Sequence, residues 1–413
     1  MPEDSTKTPA RDPLDRSPPT RAEGLARLEA FLPGAGRAYA EGRNTDPGPE
    51  APSAVSKLSP YLRHRLLTEE EVLSATLARH APKAAEKFIQ EVFWRSYFKG
   101  WLEMRPSVWQ GYLATRDAAW DQVQTQSGLR RAWEEACLGE TGIDCFDAWA
   151  RELAATGYLH NHARMWFASI WIFTLRLPWA LGADFFLRHL LDGDPASNTL
   201  GWRWVAGLQT PGKTYLATAR NIRKFTNERF HPKHQLAAEA LPVPGPENPP
   251  PMAAPDSDPL APGRRAVLLL HEDDLSPGWL LEASFAPLAT GVLDATGRLS
   301  HLAPAPHVPA FKAAAMEDAL ARHGAALGPV TRGLTSAEEI TAWAREAGAE
   351  EIVTSYAPVG PSADILRGIE GLPLRRPLRG YDARAWPHAT KGFFKFKDRI
   401  PGLLGALKGI SPV

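Results

Sequence analysis

Apolar positions follow two regimes along the chain. From Arg21 to about Phe230 they recur at three- and four-residue intervals, which predicts helices that turn one face inward. GLARLEAFLPGAGRAYAEGRN, with Leu25, Leu28, Phe31 and Leu32 in step, predicts an amphipathic helix. KLSPYLRHRLL predicts a helix opening at Pro60, with Ser59 placed to cap it. AAEKFIQEVFWRSYFKGWL predicts another, with Phe88, Val92, Phe93 and Tyr97 in the core. Beyond Arg265 short apolar runs alternate with helical stretches. AVLLLH, EEIVTSY and LPLRRPL read as strands. VPAFKAAAMEDALARHG, SAEEITAWAREAG and PSADILRGIEG read as helices, with a last helix near TKGFFKFKDRIPGLLGAL. That alternation predicts a small parallel sheet.

The two regimes imply a mostly α chain: a helical domain over 21–238 followed by a small α/β domain over 265–413. Residues 239–264 form a proline-rich linker, extended between about Leu241 and Pro262. Residues 1–20 are polar and proline-rich and are expected to be a disordered tail. Tryptophan follows the same division. Of the 14, only Trp279, Trp343 and Trp386 come after residue 205.

Composition narrows the function classes. The formal net charge is zero, so any nucleic-acid contact must come from a local basic patch. Two cysteines, Cys137 and Cys145, are too few for a disulfide framework or a zinc site, and no metal is expected. The N-terminus lacks an apolar signal core, which points to a cytoplasmic protein. The most apolar stretch, Thr156–Thr226, is broken by Arg164, Arg176, Pro178 and Asp184 too often to span a membrane.

That same stretch sets Asn161, Arg164, Asp192, Asp194 and Asn198 among Trp166, Trp171, Trp179, Trp202 and Trp204. Charges amid so much aromatic surface are costly unless paired or holding something, which is the profile of a cofactor pocket. One rival pattern lies nearby. Gly207–Thr214 spells G-x-x-x-x-G-K-T, the phosphate-loop pattern, but a buried strand should precede it and WRWVA does not read as one. No GxGxxG follows the first predicted strand either, so dinucleotide binding is not indicated there.

HNHARM followed by LLDGDPASNTLGWRW resembles the flavin-binding helical domain of the DNA photolyase/cryptochrome family, over about Gly24 to Phe230. The resemblance implies FAD, and UV-damaged DNA as the partner of a monomeric enzyme. It implies cofactor contacts from Tyr39, from the loop Ser56, Lys57, Leu58 and Ser59, and from Arg164, Asp192, Asp194 and Asn198. In that reading Arg164 lies against the flavin ring and pairs with Asp192. Asp194 accepts from the ring's N3–H edge, and Asn198 faces N5. Trp202 and Trp179 match the first two members of an electron-transfer chain; the outermost has no clear match, Trp120 being only a neighbour. Glu91, Trp94, Asn161, Met165 and Trp204 would face a flipped-out pyrimidine dimer. Taken alone, the Ser56–Ser59 loop reads better as a plain helix cap, and Glu91–Trp94–Arg95 better as the side of a packed helix.

The function expected is light-driven repair of cyclobutane dimers, with a cryptochrome-like photoreceptor lacking repair as the alternative. His162 and the TYLATARNI segment depart from the family's phosphate-contacting residues, and Val55 stands where it has threonine. The α/β antenna domain that the family places first is here missing from the N-terminus. EEIVTSYAPVGPS and AWPHATKGFFKFKDRI resemble it loosely, as a permuted and shortened counterpart.

Overall fold

The structure is a computed structural model that describes residues 17–407 apart from 262 and 284. Residues 1–16 of the expected tail lie outside the described residues. The tail's last residues are anchored instead. Thr20 caps the first helix through Glu23 N–H, and the Tyr61 hydroxyl donates to the Pro18 carbonyl at 3.2 Å.

Twelve helices make up the first half among the described residues: α1 (Arg21–Phe31), α2 (Arg37–Gly42), α3 (Ser59–Arg63), α4 (Glu69–Leu77), α5 (Glu86–Glu103), α6 (Ser107–Thr125), α7 (Ser127–Leu138), α8 (Asp144–Thr156), α9 (Asn161–Ser169), α10 (Trp179–His189), α11 (Pro195–Val205) and α12 (Ala219–Phe225). The single helix expected from Arg21 is two, because Pro33 lacks the N–H a continuing helix needs and Gly34 favours a turn. Ser59 is the first helical residue of α3 and not its cap; Leu58 occupies that position without a side-chain bond. α5 matches its expected span, with Phe88, Val92, Phe93 and Tyr97 all buried. After α9 the chain widens into a π-helical turn over Ile170–Thr174.

The second half holds β1 (Ala266–Leu270), α13 (Gly278–Leu281), β2 (Thr290–Leu293), α14 (His307–His323), β3 (Val330–Leu334), α15 (Ala337–Glu346), β4 (Glu351–Val353), α16 (Pro361–Leu366), β5 (Leu374–Arg375), α17 (Gly380–Ala385), α18 (Phe393–Lys397) and α19 (Ile400–Gly405). The five strands are parallel in the order β3-β2-β1-β4-β5. Leu268 pairs with Thr290, Val267 with Ile352, and Ile352 with Leu374. β2 and β3 escaped the sequence pattern. Both are short, each contains a glycine, and β3 exposes Thr331 and Arg332, so neither forms an apolar run. The expected last helix is two short ones, broken before Pro401.

Strand alternation decides what covers each face. Leu268, Leu270 and Val292 join the core of the helical half together with Phe311 and Leu320 of α14. Val267, Leu269, Leu293 and Ile352 pack on Ile340 and Ala344 of α15 and Ile365 of α16. The C-terminal helices do not follow the sheet. Tyr381, Trp386, Phe393 and Phe396 belong to the helical core, and the Tyr381 hydroxyl lies 2.8 Å from Ser96 Oγ of α5. Gly100 of α5 permits that close approach, since a Cβ there would sit 2.8 Å from Trp386 Cα. Among its described residues the linker has no regular secondary structure, yet it is strapped down. Met252 N–H donates to the Met104 carbonyl at 2.9 Å, and Asn248 accepts from Arg203 at 2.7 Å.

Candidate functional site

Two sequence motifs meet where the N-terminus of α11 faces α9. Asp192 and Asp194 flank the turn that opens α11, and Asp194 caps it by accepting from Ser197 N–H at 2.8 Å. Arg164, one turn into α9, donates through Nη2 to Asp192 Oδ2 at 3.0 Å and through Nε to the Leu159 carbonyl at 2.9 Å. Its guanidinium lies over the Tyr158 ring at 5.5 Å. Burial alone would raise the Asp192 carboxyl, but Arg164, the Ser59 hydroxyl and Arg95 hold it below its usual range. The expected Arg164–Asp192 pair is therefore formed.

Asp194 sits in a more strongly cationic setting than the sequence suggested. Its Oδ2 has Lys99 Nζ at 3.5 Å, Arg95 Nη1 at 3.8 Å and Arg63 Nε at 3.8 Å. Against the opposing effect of burial, those three cations pull its carboxyl down to about 2. The distances to Oδ2 exceed a hydrogen bond, so Asp194 is held charged with acceptor capacity left on that oxygen. Asn198, 8% exposed, donates to the Ala183 carbonyl at 2.8 Å, which fixes its amide between α11 and α10.

Arg63, Arg95 and Lys99 surround Asp194 without having been singled out for a role by the motifs. The helical period carries a signal for two of them: Arg95 and Lys99 are four apart on α5 and share a face. No local signal announces Arg63.

The loop before α3 carries Lys57 with φ of 52°, a left-handed conformation, and its ammonium lies 5.9 Å from the Tyr158 ring centroid. Ser56 Oγ accepts from Leu58 N–H at 3.3 Å, so that hydroxyl shapes the loop. Leu58 is core. Beside this loop opens a small cleft lined by Asp46, Val55, Lys57, Glu152, Tyr158 and His160, among others. Burial, with Asp46 nearby, pushes the Glu152 carboxyl up to about 8. Burial lowers the His160 imidazole to about 4, so the ring is neutral at physiological pH. Tyr39 is packed at 5.3 Å from Phe88 and 5.8 Å from Phe31, a core position.

The residues expected to face DNA are less uniform. Glu91 is ion-paired with Arg43. Trp94 lies flat on Phe393 of α18, with ring centroids 3.6 Å apart and planes 12° apart. Trp204, 38% exposed, stacks on Tyr215 at 5.5 Å. Asn161 is exposed at the start of α9 and Met165 is half-buried. Trp202 is buried against Phe186 at 5.1 Å and Trp171 at 6.2 Å. Trp179 packs instead on Tyr112 at 5.8 Å. Trp120 neighbours Trp133 at 5.2 Å. Gly207–Thr214 follows a helix and not a strand, so the phosphate-loop pattern is coincidental.

Residues 88–239 match the family described as the FAD binding domain of DNA photolyase. Over 229 residues the chain is 35% identical to a deoxyribodipyrimidine photo-lyase of Thermus thermophilus, covering 54% of this chain and 51% of that one. Over 248 residues it is 30% identical to the same-named protein of a Synechococcus species, covering 54% and 49%. A class III photolyase structure from Agrobacterium tumefaciens aligns at 30% identity and a TM-score of 0.43, over 52% of this chain and 44% of that chain. The chain thus spans about half the length of the curated relatives it matches.

The residues present fit FAD. Asp192 Oδ1 and Arg95 Nη1 are buried without a well-formed hydrogen bond inside the protein, so each keeps capacity for a polar ligand. Lys57 lines the cleft, and a pyrophosphate held there would need a cation.

Proposed function

We propose that this chain, whose residues 88–239 match the FAD binding domain of DNA photolyase, is a light-driven photolyase that splits cyclobutane pyrimidine dimers in DNA. The Arg164–Asp192 pair, brought together from a motif on α9 and one in the turn before α11, carries this reading. Bound FAD, reduced and excited by blue light, would supply the electron that opens the dimer.

The chain's own residues supply position and charge. Arg164 sets a fixed positive charge beside the ring and favours an anionic reduced flavin. Asp194 would hold the polar ring edge, Asn198 would serve its N5 side, and Lys57 would meet the pyrophosphate. Trp202, with Trp171 and Phe186 against it, would pass electrons to the flavin. Glu91, Trp94, Asn161, Met165 and Trp204 line the pocket for a flipped-out dimer. Flipping costs a few kcal/mol and is cheapest at a damaged base pair, while each aromatic stack returns about 1–3 kcal/mol. Exposed Arg176, Lys213, Arg220, Lys224 and Lys233 approach the phosphates. Arg203 and Arg229 are excluded from that set by their internal partners Asn248 and Asp46. The protein acts as a monomer in the cytoplasm. Among the described residues no helix is long and apolar enough to cross a membrane.

A photoreceptor without repair is the second reading. One observation favours it: Phe393 lies on the Trp94 face that a dimer would stack against.

The test is one preparation assayed twice. The purified protein is expected to carry a flavin spectrum, and the reduced form to remove dimers from irradiated oligothymidine only under blue light. Colourless protein that takes up no added FAD would sink the flavin reading. Fully reduced protein that leaves the dimers intact would leave the photoreceptor reading.

A further inference from the structure

In this sheet the chain order reverses between β1 and β4. The crevice at the carboxyl ends of two such strands is where open α/β sheets ordinarily take a ligand. Here helical residues occupy it. The Leu275 N–H after β1 donates to the His64 carbonyl at 2.9 Å, and His64 Nδ1 lies 2.8 Å from the Glu272 carbonyl. On the β4 side, the Tyr356 hydroxyl and the Val359 N–H donate to Glu103 of α5 at 2.7 and 2.6 Å.

Within this joint Arg63 grips both halves. Its Nη1 meets Asp273 at 2.6 Å and its Nη2 meets Glu272 at 3.0 Å. Its Nε donates to the Gly193 carbonyl at 3.0 Å, in the turn between Asp192 and Asp194. The guanidinium is 1% exposed, so its charge is balanced almost entirely by these neighbours. The two carboxylates are themselves secured. Lys312 of α14 meets the other oxygen of Glu272 at 2.6 Å, and His271 Nδ1 lies 3.5 Å from Asp273 Oδ2.

We propose that the acidic loop Glu272–Asp273 is a working part of the flavin site, acting through Arg63 as a positioning device. By satisfying the Nη atoms, the loop keeps Arg63 3.8 Å from Asp194 Oδ2. Asp194 then stays ionised, yet its Oδ2 is left free to accept from the flavin's ring edge. Were the loop's charge removed, Arg63 would turn to Asp194 as its nearest remaining carboxylate and take up that oxygen. The C-terminal half is thus a brace built into the flavin pocket, with its sheet crevice filled by the joint. This inference rests on the flavin reading above.

The full-length protein tests it through FAD affinity, followed by flavin fluorescence, and through the midpoint potential of the bound flavin. Asp273→Asn and Arg63→Gln should each weaken FAD binding by about tenfold, the scale of one charge-assisted hydrogen bond. Their potentials should move in opposite directions. Asp273→Asn leaves Arg63 under-compensated, favours the reduced anion and raises the potential. Arg63→Gln leaves the carboxylates under-compensated and lowers it. A purely structural role would give no such reversal of sign. Should Arg63→Gln fail to fold, Glu272→Gln replaces it, with an upward shift expected to add to that of Asp273→Asn. Glu317→Gln, at an exposed ion pair on α14, should change neither reading. Folded variants with wild-type affinity, or shifts of one sign for Asp273→Asn and Arg63→Gln, would overturn the inference. A wild-type protein that binds no FAD would overturn the flavin reading itself.

Discussion

Arg164 and Asp192 stand 28 positions apart in the chain and meet at 3.0 Å, one from α9 and one from the turn before α11. Asp192 is 6% exposed, whereas the Arg164 side chain keeps 22% exposure, so water shares only part of the pair's charge. Asp192→Asn should cost about 2 kcal/mol, below the 3–5 kcal/mol of a fully buried broken pair. It should also empty the flavin site. Urea denaturation and flavin content of the purified variant check the two halves of this prediction separately. A full flavin complement would remove Asp192 from the cofactor's surroundings.

Phe393→Ala should cost about 3 kcal/mol by leaving a cavity where a buried ring had packed. It should also uncover the Trp94 indole, read as stronger acrylamide quenching of tryptophan fluorescence. If Trp94 forms one wall of the lesion pocket, the variant will bind a dimer-containing oligonucleotide more tightly than the parent. Increased quenching with unchanged affinity would take Trp94 out of that pocket. Phe394, 84% exposed, serves as the control, and its replacement by alanine should leave stability within about 0.5 kcal/mol.

Glu103 provides a pH prediction. Burial pushes its carboxyl up to about 7, despite the Val359 N–H and Tyr356 hydroxyl that favour the charged form. The folded state therefore holds a proton that the unfolded chain releases near the ordinary value of 4.5. The stabilisation is complete below pH 4.5 and disappears as pH rises through about 7. Chemical denaturation between pH 5 and 8 should record a decline of about 2–3 kcal/mol from this group. Glu103→Gln should flatten the decline, because the amide does not titrate. An unchanged slope would assign the effect elsewhere.

Much of the site was legible because its residues lie inside short motifs on single helices. HNHARM and DGDPASN each fix their residues on a helix N-terminus, and periodicity alone orients Phe88, Val92, Phe93 and Tyr97 inward. Other expectations failed for equally local reasons. Pro33 divided the first helix, and glycines within β2 and β3 broke up the apolar runs that mark a strand.

The sequence by itself determined the helical and α/β halves, the resemblance to the photolyase FAD-binding domain, and the expected pairing of Arg164 with Asp192. Those depend on periodicity and on motifs a few residues long. Only the tertiary structure decided that Arg63 joins Asp273 across 210 positions, that Phe393 covers Trp94, and that the C-terminal helices pack on α5. Such contacts come from how whole faces bury one another. A residue's own neighbours in the chain carry no record of what will be pressed against it from far away.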